Sequence, residues 1–86
     1  MGTVTAGEIE ALVIETLAGF GPERSTLTRT ATLDEVDLDS LDVVELAQVL
    51  EDEYEIEVDT ERYLGVITIG DLIDRTVVIV QETRAE

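Results

Sequence analysis

The sequence predicts an all-α protein: a small four-helix bundle with three longer helices, one short helix and a long first loop. Three stretches carry apolar residues at the three- and four-residue spacing of a helix face, and each follows a side chain that can cap a helix. No two segments alternate apolar and polar residues as a pair of strands would. Residues 1–86 are predicted to form one domain, since a chain of this length supports a single core.

The first helix is predicted over residues 6–19. Thr5 and Glu8 have the spacing of a capping box. The apolar face that follows consists of Ile9, Leu12, Val13, Leu17 and Phe20. Residues 20–38 then form a long connection, of a length that is often functional. Its spaced apolar residues are expected to pin it to the core: Leu27, Leu33, Val36 and Leu38.

The second helix is predicted over residues 40–53, with Asp39 as its N-cap. One face is apolar and is expected to enter the core: Val43, Leu46, Ala47, Leu50 and Tyr54. The other face mixes apolar and polar residues: Leu41, Val44, Glu45, Gln48, Val49 and Asp52. Because a solvated face would have no reason to carry Leu41 and Val44, the pattern favours one face for the core and one for a partner protein. A helix buried more widely would also explain it.

A short acidic loop and a short helix follow. Ile56 and Val58 alternate with acids, but no partner strand is available, so this segment is predicted to be an extended loop. The short helix is predicted over residues 60–64, with Tyr63 and Leu64 pointing inward.

The final helix is predicted over residues 69–80, with Thr68 and Asp71 as its capping pattern. The β-branched run over residues 76–80 is a poor helix former, so either packing overrides this weakness or the helix frays there. Residues 82–86 are expected to be loose.

The composition is strongly acidic, with 21 acidic residues, 5 basic residues and a formal net charge of −16. The stretch from Asp34 to Glu61 contains no Lys or Arg. Nucleic acid and anionic membranes require cationic surfaces, so neither is expected as a partner, whereas basic protein surfaces are. No apolar run reaches the length of a membrane span and no secretory signal is visible, so the protein is predicted to be cytoplasmic.

The residue types exclude most catalytic and metal chemistry. The chain has no His, Cys or Lys, so a serine nucleophile would lack its activating base and zinc would lack its usual ligands. A calcium-binding loop starting at Asp37 fails, because Asp42 stands where glycine is required and Gln48 where a bidentate glutamate belongs. No catalytic residue and no metal site is therefore predicted.

Ser40 directly follows Asp39 at the start of the second helix. Free N–H groups and the helix dipole favour a phosphate at such a position, so a phosphate ester of this hydroxyl would be well placed for presentation to other proteins. A serine at a helix start is also a common cap, and position alone favours that structural role.

The residues around Ser40 resemble the acyl carrier proteins. Asp39-Ser40-Leu41-Asp42 opens a helix that ends in Leu50-Glu51-Asp52-Glu53-Tyr54, and the similarity in the order of helices and loops covers nearly the whole chain. In that family the serine of Asp-Ser-Leu carries 4′-phosphopantetheine. The chain departs from many members in lacking Lys and in having Val36, Asp37 and Leu38 where a glycine is common.

The resemblance implies a non-catalytic carrier subunit. A phosphopantetheinyl transferase would move the arm from coenzyme A to Ser40, with Asp39 capping the helix and marking the site. A ketosynthase, an acyltransferase and other tailoring enzymes with basic docking patches would then act on a thioester-bound cargo. The implied docking residues are Leu41, Asp42, Val44, Glu45, Gln48 and Asp52. Part of an acyl chain could be sheltered by the inner faces near four residues: Leu46, Tyr63, Leu64 and Ile67. The expected role of these four residues is nevertheless core packing.

Within this interpretation the pathway stays open. A free-standing chain implies separate partner enzymes, and the carrier is expected to be a monomer. The departures from the family pattern and the use of Arg alone favour polyketide or other secondary-metabolite synthesis, with fatty acid synthesis as the alternative. An unmodified acidic interaction or inhibitor module would also explain the charge and the two-sided helix, but not the serine at the head of the docking face.

Overall fold

The computed structural model describes residues 4–84. Its α-helices are α1 (Ala6–Ala18), α2 (Ser40–Tyr54) and α3 (Ile69–Arg84), and its 3-10 turns are Arg24–Thr26, Asp34–Val36 and Thr60–Tyr63. No strand occurs within the described residues, and none of their helices has the length and apolar character needed to cross a membrane. The predicted all-α class is confirmed, whereas the count of four helices is not.

The short helix predicted at residues 60–64 is a 3-10 turn over Thr60–Tyr63. Leu64 has extended backbone and Gly65 has a φ of +87°, so the chain leaves the turn before an α-helical hydrogen bond can form. Leu64 is 75% exposed, so the expectation that it points inward is wrong. Tyr63 is buried, as predicted.

α1 and α2 have ends within one residue of those predicted. The expected capping box is present: Thr5 Oγ1 accepts the Glu8 N–H, and Glu8 Oε1 accepts the Thr5 N–H, each at 3.1 Å. α1 ends at Ala18 and α2 at Tyr54, where Glu55 takes a left-handed φ of +56° and stops the helix.

α3 continues to Arg84, four residues past the predicted end at residue 80. Ile79 and Val80 are fully buried, so packing overrides the weak helix propensity of the β-branched run. Residues 82–84 are therefore helical rather than loose. Residues 85–86 of the predicted loose end lie outside the described part of the chain.

The three helices share one apolar core. Its fully buried members on α1 and α2 are Ile9, Val13, Leu17, Leu46 and Leu50, and those on α3 are Ile69, Leu72, Ile73, Ile79 and Val80. Their three- and four-residue spacing is the helical periodicity from which the helices were predicted. Burying each of these side chains stabilises the fold by roughly 1.5–3 kcal/mol relative to exposing it.

The long connection between α1 and α2 is held against the start of α3. Backbone hydrogen bonds link the two segments. The Leu33 N–H donates to the Ile67 carbonyl at 3.0 Å, the Ile69 N–H to the Ala31 carbonyl at 2.8 Å, and the Gly70 N–H to the Arg29 carbonyl at 2.9 Å. As predicted, its spaced apolar residues meet the core, with Leu27 and Leu38 buried and Leu33 and Val36 partly buried. The connection thus reaches α2 along a fixed path, which fixes the position of the first turn of α2.

Candidate functional site

Asp39 caps α2, as predicted. Its Oδ1 accepts hydrogen bonds from the N–H groups of Leu41 at 3.0 Å and Asp42 at 3.3 Å. In return, Asp42 Oδ2 accepts the Asp39 N–H at 2.9 Å. This capping box pairs the N–H groups of three residues at the start of the helix. The capping role that a serine could have filled therefore belongs to Asp39.

Ser40 is the first residue of α2, and its side chain is exposed. Within residues 4–84 the Ser40 hydroxyl makes no hydrogen bond, because the caps on this turn come from the two neighbouring aspartates. An exposed hydroxyl without a structural partner is accessible to a modifying enzyme. A phosphate at this position would meet the positive end of the helix dipole.

A groove of about 700 Å³, open to solvent, lies beside Ser40. One wall comes from the end of the long connection and the first turns of α2, and the other comes from the Thr60–Tyr63 turn and the residues after it. Its apolar lining includes Val43, Val44, Tyr63, Leu64, Val66 and Ile67. Its polar lining includes Thr32, Asp34, Asp39, Thr60 and Glu61. The predicted modification residue is therefore next to a surface that can hold an elongated, partly apolar group.

Five exposed residues follow one face of α2, at steps of three, four, seven and eleven residues from the first: Leu41, Val44, Glu45, Gln48 and Asp52. We call this surface the α2 stripe. Leu41 is 69% exposed and Val44 is 38% exposed. The alternative of a helix buried more widely is therefore wrong for these two residues. Asp42, the sixth predicted docking residue, is half-buried beside the stripe and is engaged in the cap.

The acidic stretch from Asp34 to Glu61 contains no side chain that forms an ion pair within residues 4–84. The ion pairs of the described chain are Arg29–Glu10 at 3.7 Å, Arg29–Asp74 at 2.7 Å and Arg62–Glu82 at 2.8 Å. All three acids lie outside the stretch. The carboxylates of the α2 stripe are therefore available to a basic partner surface.

Three of the four residues whose inner faces could shelter an acyl chain line the second wall of the groove: Tyr63, Leu64 and Ile67. Leu64 and Ile67 were expected to pack in the core, but they are 75% and 63% exposed and line the groove. Leu46 is fully buried and is a core residue, as expected. The position of this wall beside α2 could not be read from local sequence, because it depends on contacts between α2 and the Thr60–Tyr63 turn, which are not local in the chain.

The comparisons with known proteins agree with this geometry. Residues 9–76 match the family model described as a phosphopantetheine attachment site. The acyl carrier protein of Streptococcus pyogenes serotype M1 is 35% identical over 66 residues, covering 77% of this chain and 82% of the relative. The acyl carrier protein of Rhodococcus erythropolis is 34% identical over 61 residues, which cover 71% of this chain and 66% of the relative. The crystal structure of an acyl carrier protein from Thermotoga maritima has a TM-score of 0.69 and 26% identity, covering 90% of this chain and 92% of that one.

The residues present fit the prosthetic group that this family model implies. Phosphopantetheine is bound as a phosphate ester, which requires an accessible hydroxyl, and the Ser40 hydroxyl is exposed and unpaired within the described chain. The groove beside it offers room for the arm and its cargo. The family model, the relatives and the helical fold together show that the chain belongs to the acyl carrier protein family and is a non-catalytic carrier with covalently attached 4′-phosphopantetheine.

Proposed function

We propose that Ser40 is the residue that carries the 4′-phosphopantetheine group and that Asp39 marks it for the transferase. Three features support this assignment: the hydroxyl is exposed, it is not used as a cap, and it opens the helix that bears the acidic docking surface. The other serine of the chain, Ser25, lies in the 3-10 turn Arg24–Thr26, which has no side-chain cap and does not line the groove beside Ser40.

In this proposal the residues around Ser40 position the ester and leave the chemistry to partner enzymes. When bound, the group supplies a terminal thiol that holds acyl cargo as a thioester. On loading, Ser40 Oγ would lose its proton and bond to the phosphorus of the pantetheine phosphate, while the bond from that phosphorus to the adenosine bisphosphate of coenzyme A breaks and the adenosine bisphosphate leaves. The cap occupies the Leu41 and Asp42 N–H groups, so within the described chain the Ser40 N–H is the unpaired donor of this turn. Asp39 therefore orders the turn, and the Ser40 N–H can donate to the phosphate.

The α2 stripe, together with Asp42, is the proposed docking surface for basic patches on the transferase, ketosynthase, acyltransferase and tailoring enzymes. Leu41 and Val44 are its apolar anchors. Each exposed charge pair is worth less than about 1 kcal/mol, so binding is weak and reversible. Their combined field speeds encounter and makes docking sensitive to salt. A monomeric carrier acting in the cytoplasm, where coenzyme A is available, completes the proposal.

For the pathway, we propose polyketide or other secondary-metabolite synthesis. The groove is open and carries polar groups, such as those of Thr60 and Glu61, on a mostly apolar lining, so an oxygenated acyl intermediate finds hydrogen-bonding partners there that a saturated chain would not use. The residue before Leu38 is Asp37, with a left-handed φ of +61°, where many family members have glycine. The backbone turn that glycine would allow is thus kept by an aspartate. Fatty acid synthesis is the alternative.

The attachment proposal is tested by intact mass after incubation with coenzyme A, Mg²⁺ and a broad-specificity transferase. The wild type and the matched control Ser25→Ala should each gain one phosphopantetheine, and Ser40→Ala should gain none. A folded wild type that gains nothing, or a Ser40→Ala variant that still gains the group, would refute the assignment. A folded wild type that gains nothing would also favour the alternative of an unmodified interaction module.

The pathway proposal needs a separate test. The loaded carrier, charged with a malonyl group, is offered either to a polyketide ketosynthase pair or to a fatty acid ketosynthase, and the rates of product formation are compared. The proposal predicts faster elongation by the polyketide pair. Faster elongation by the fatty acid enzyme would favour the alternative.

A further inference from the structure

We propose that Tyr63 is a fixed floor of the groove beside Ser40, which keeps linear alkyl chains out of the helical core and restricts the carrier to short or oxygenated acyl groups. This inference rests on the proposed attachment of cargo at Ser40. It adds the residue that decides which cargo the protein can hold.

Tyr63 lies in the 3-10 turn between α2 and α3 and is only 6% exposed, yet its side chain lines the groove. Its hydroxyl lies 2.7 Å from Thr76 Oγ1, on a residue that is fully buried. The Thr76 hydroxyl is 2.8 Å from the Leu72 carbonyl oxygen, to which it donates. Because each hydroxyl has one proton, Tyr63 must be the donor to Thr76. A chain of hydrogen bonds thus runs from the groove into α3.

This chain holds the ring in place. If the ring swung aside to admit cargo, the buried hydroxyls of Tyr63 and Thr76 would lose their mutual hydrogen bond, which is unfavourable in a site with little access to water. Burial also raises the pKa of Tyr63 above its ordinary value of 10.0, so the hydroxyl keeps its proton and remains a donor at neutral pH.

An alkyl chain entering the core would meet buried, close-packed side chains. Leu46 and Leu72 are fully buried, Ile73 is 1% exposed, and none of the three lines the groove. A linear chain that entered the core would have to displace the Tyr63 ring or separate close-packed side chains, and packed interiors resist both.

The groove itself provides polar partners for a cargo that stays outside the core. The Thr60 hydroxyl can donate to a keto oxygen, and the carboxylates of Asp34 and Glu61 can accept from a hydroxyl group. Val43 and Val44 supply apolar contact on the wall formed by α2. An acyl group with alternating carbon and oxygen functions can use these polar partners as well as the apolar part of the lining, whereas a saturated chain can use only the apolar part.

The test measures how fast hydroxylamine cleaves thioesters of the loaded protein. Butanoyl, octanoyl and dodecanoyl cargoes, and an octanoyl chain bearing keto and hydroxyl groups, are compared in the wild type, Tyr63→Leu and the matched control Tyr54→Leu. Tyr54 does not line the groove. Each rate is divided by that of the same cargo on free pantetheine.

In the wild type, the three saturated cargoes should be cleaved at equal relative rates, and the oxygenated chain more slowly. Tyr63→Leu should slow cleavage of the dodecanoyl thioester several-fold, and Tyr54→Leu should not. Protection of dodecanoyl over butanoyl in the wild type, equal rates for the two octanoyl cargoes, or a folded Tyr63→Leu variant that behaves as the wild type would overturn the inference. The comparison of cargoes on the wild type needs no variant, so it still tests whether the core excludes alkyl chains if Tyr63→Leu misfolds. Failure of attachment at Ser40 is seen separately, as absence of the mass gain before any cargo is added.

Discussion

The N–H of Gly70 donates a 2.9 Å hydrogen bond to the carbonyl oxygen of Arg29. A Cβ on Gly70 would lie 2.9 Å from that oxygen, closer than real Cβ atoms approach a neighbour, and 3.2 Å from the Arg29 Cβ, which is also a tight contact. This contact joins the long connection, the end of which forms part of one wall of the groove, to the first turn of α3. Glycine is therefore required here by space rather than by an unusual φ.

Gly70→Ala should lower the free energy of unfolding by about 1–3 kcal/mol, because the backbone of Arg29 must shift to admit the methyl group. Gly7→Ala is the matched control within α1, where an added Cβ would have its nearest neighbour, Thr5 Oγ1, at 4.0 Å. The control should stabilise the protein by about 0.5–1 kcal/mol, through helix propensity. Urea denaturation measures both. A Gly70→Ala variant as stable as Gly7→Ala would show that the backbone of Arg29 leaves room for a methyl group at position 70.

Asp39 should have separable structural and recognition roles. Asp39→Ala removes the cap and should cost about 0.5–2 kcal/mol of stability, whereas Asp39→Asn keeps a good cap and should cost little. If the transferase reads the charge, both variants should be loaded more slowly than the wild type. Thermal melting and initial loading rates measure the two effects. Melting of Asp39→Ala at the wild-type temperature would contradict the capping role.

Asp71 should make stability depend on pH at the acidic end. Backbone hydrogen bonds from the N–H groups of Thr68 and Ile67 lower the pKa of Asp71 below its ordinary value of 3.8. The folded state thus favours the ionised form, and the stability that this gives is present above the ordinary pKa and lost as pH falls through the lowered one.

The wild type should therefore be more stable than Asp71→Asn at neutral pH, and the difference should shrink as pH falls below 3.8. Unfolding free energies across this range provide the measurement. A difference of the same size at every pH would mean that ionisation of Asp71 contributes nothing to the fold.

Salt should stabilise the protein. The chain carries a formal net charge of −16, and the acids between Asp34 and Glu61 form no ion pair within the described residues. Their mutual repulsion is screened as the Debye length falls to about 10 Å at 0.1 M salt, so the melting temperature should rise with NaCl and with millimolar Mg²⁺. A melting temperature that does not change with NaCl would show that the repulsion is small.

The local features of the fold could be predicted because their causes lie within a few residues. The Thr5–Glu8 capping box, the Asp39 cap and the Thr68–Asp71 pair are all present where the sequence predicts them. Each depends on side chains that reach the backbone within one helical turn.

The features of the fold that were predicted wrongly have causes that are distant in sequence. Ile79 and Val80 stay helical because other helices bury them, which no local propensity reports. Leu64 and Ile67 look like core residues by composition, but they are exposed because the Thr60–Tyr63 turn ends before it becomes an α-helix. For the site, the sequence indicated which serine to consider, whereas the groove is lined by segments that are distant in the chain: the connection, α2, and the Thr60–Tyr63 turn with the residues after it.

The central claim is that Ser40 is the attachment residue, and fragmentation mass spectrometry of the loaded wild-type protein tests it most directly. Fragment ions that contain Ser40 should carry the added phosphopantetheine mass, and those that contain Ser25 should not. Added mass on Ser25 or on any threonine, with Ser40 unmodified, would contradict the account.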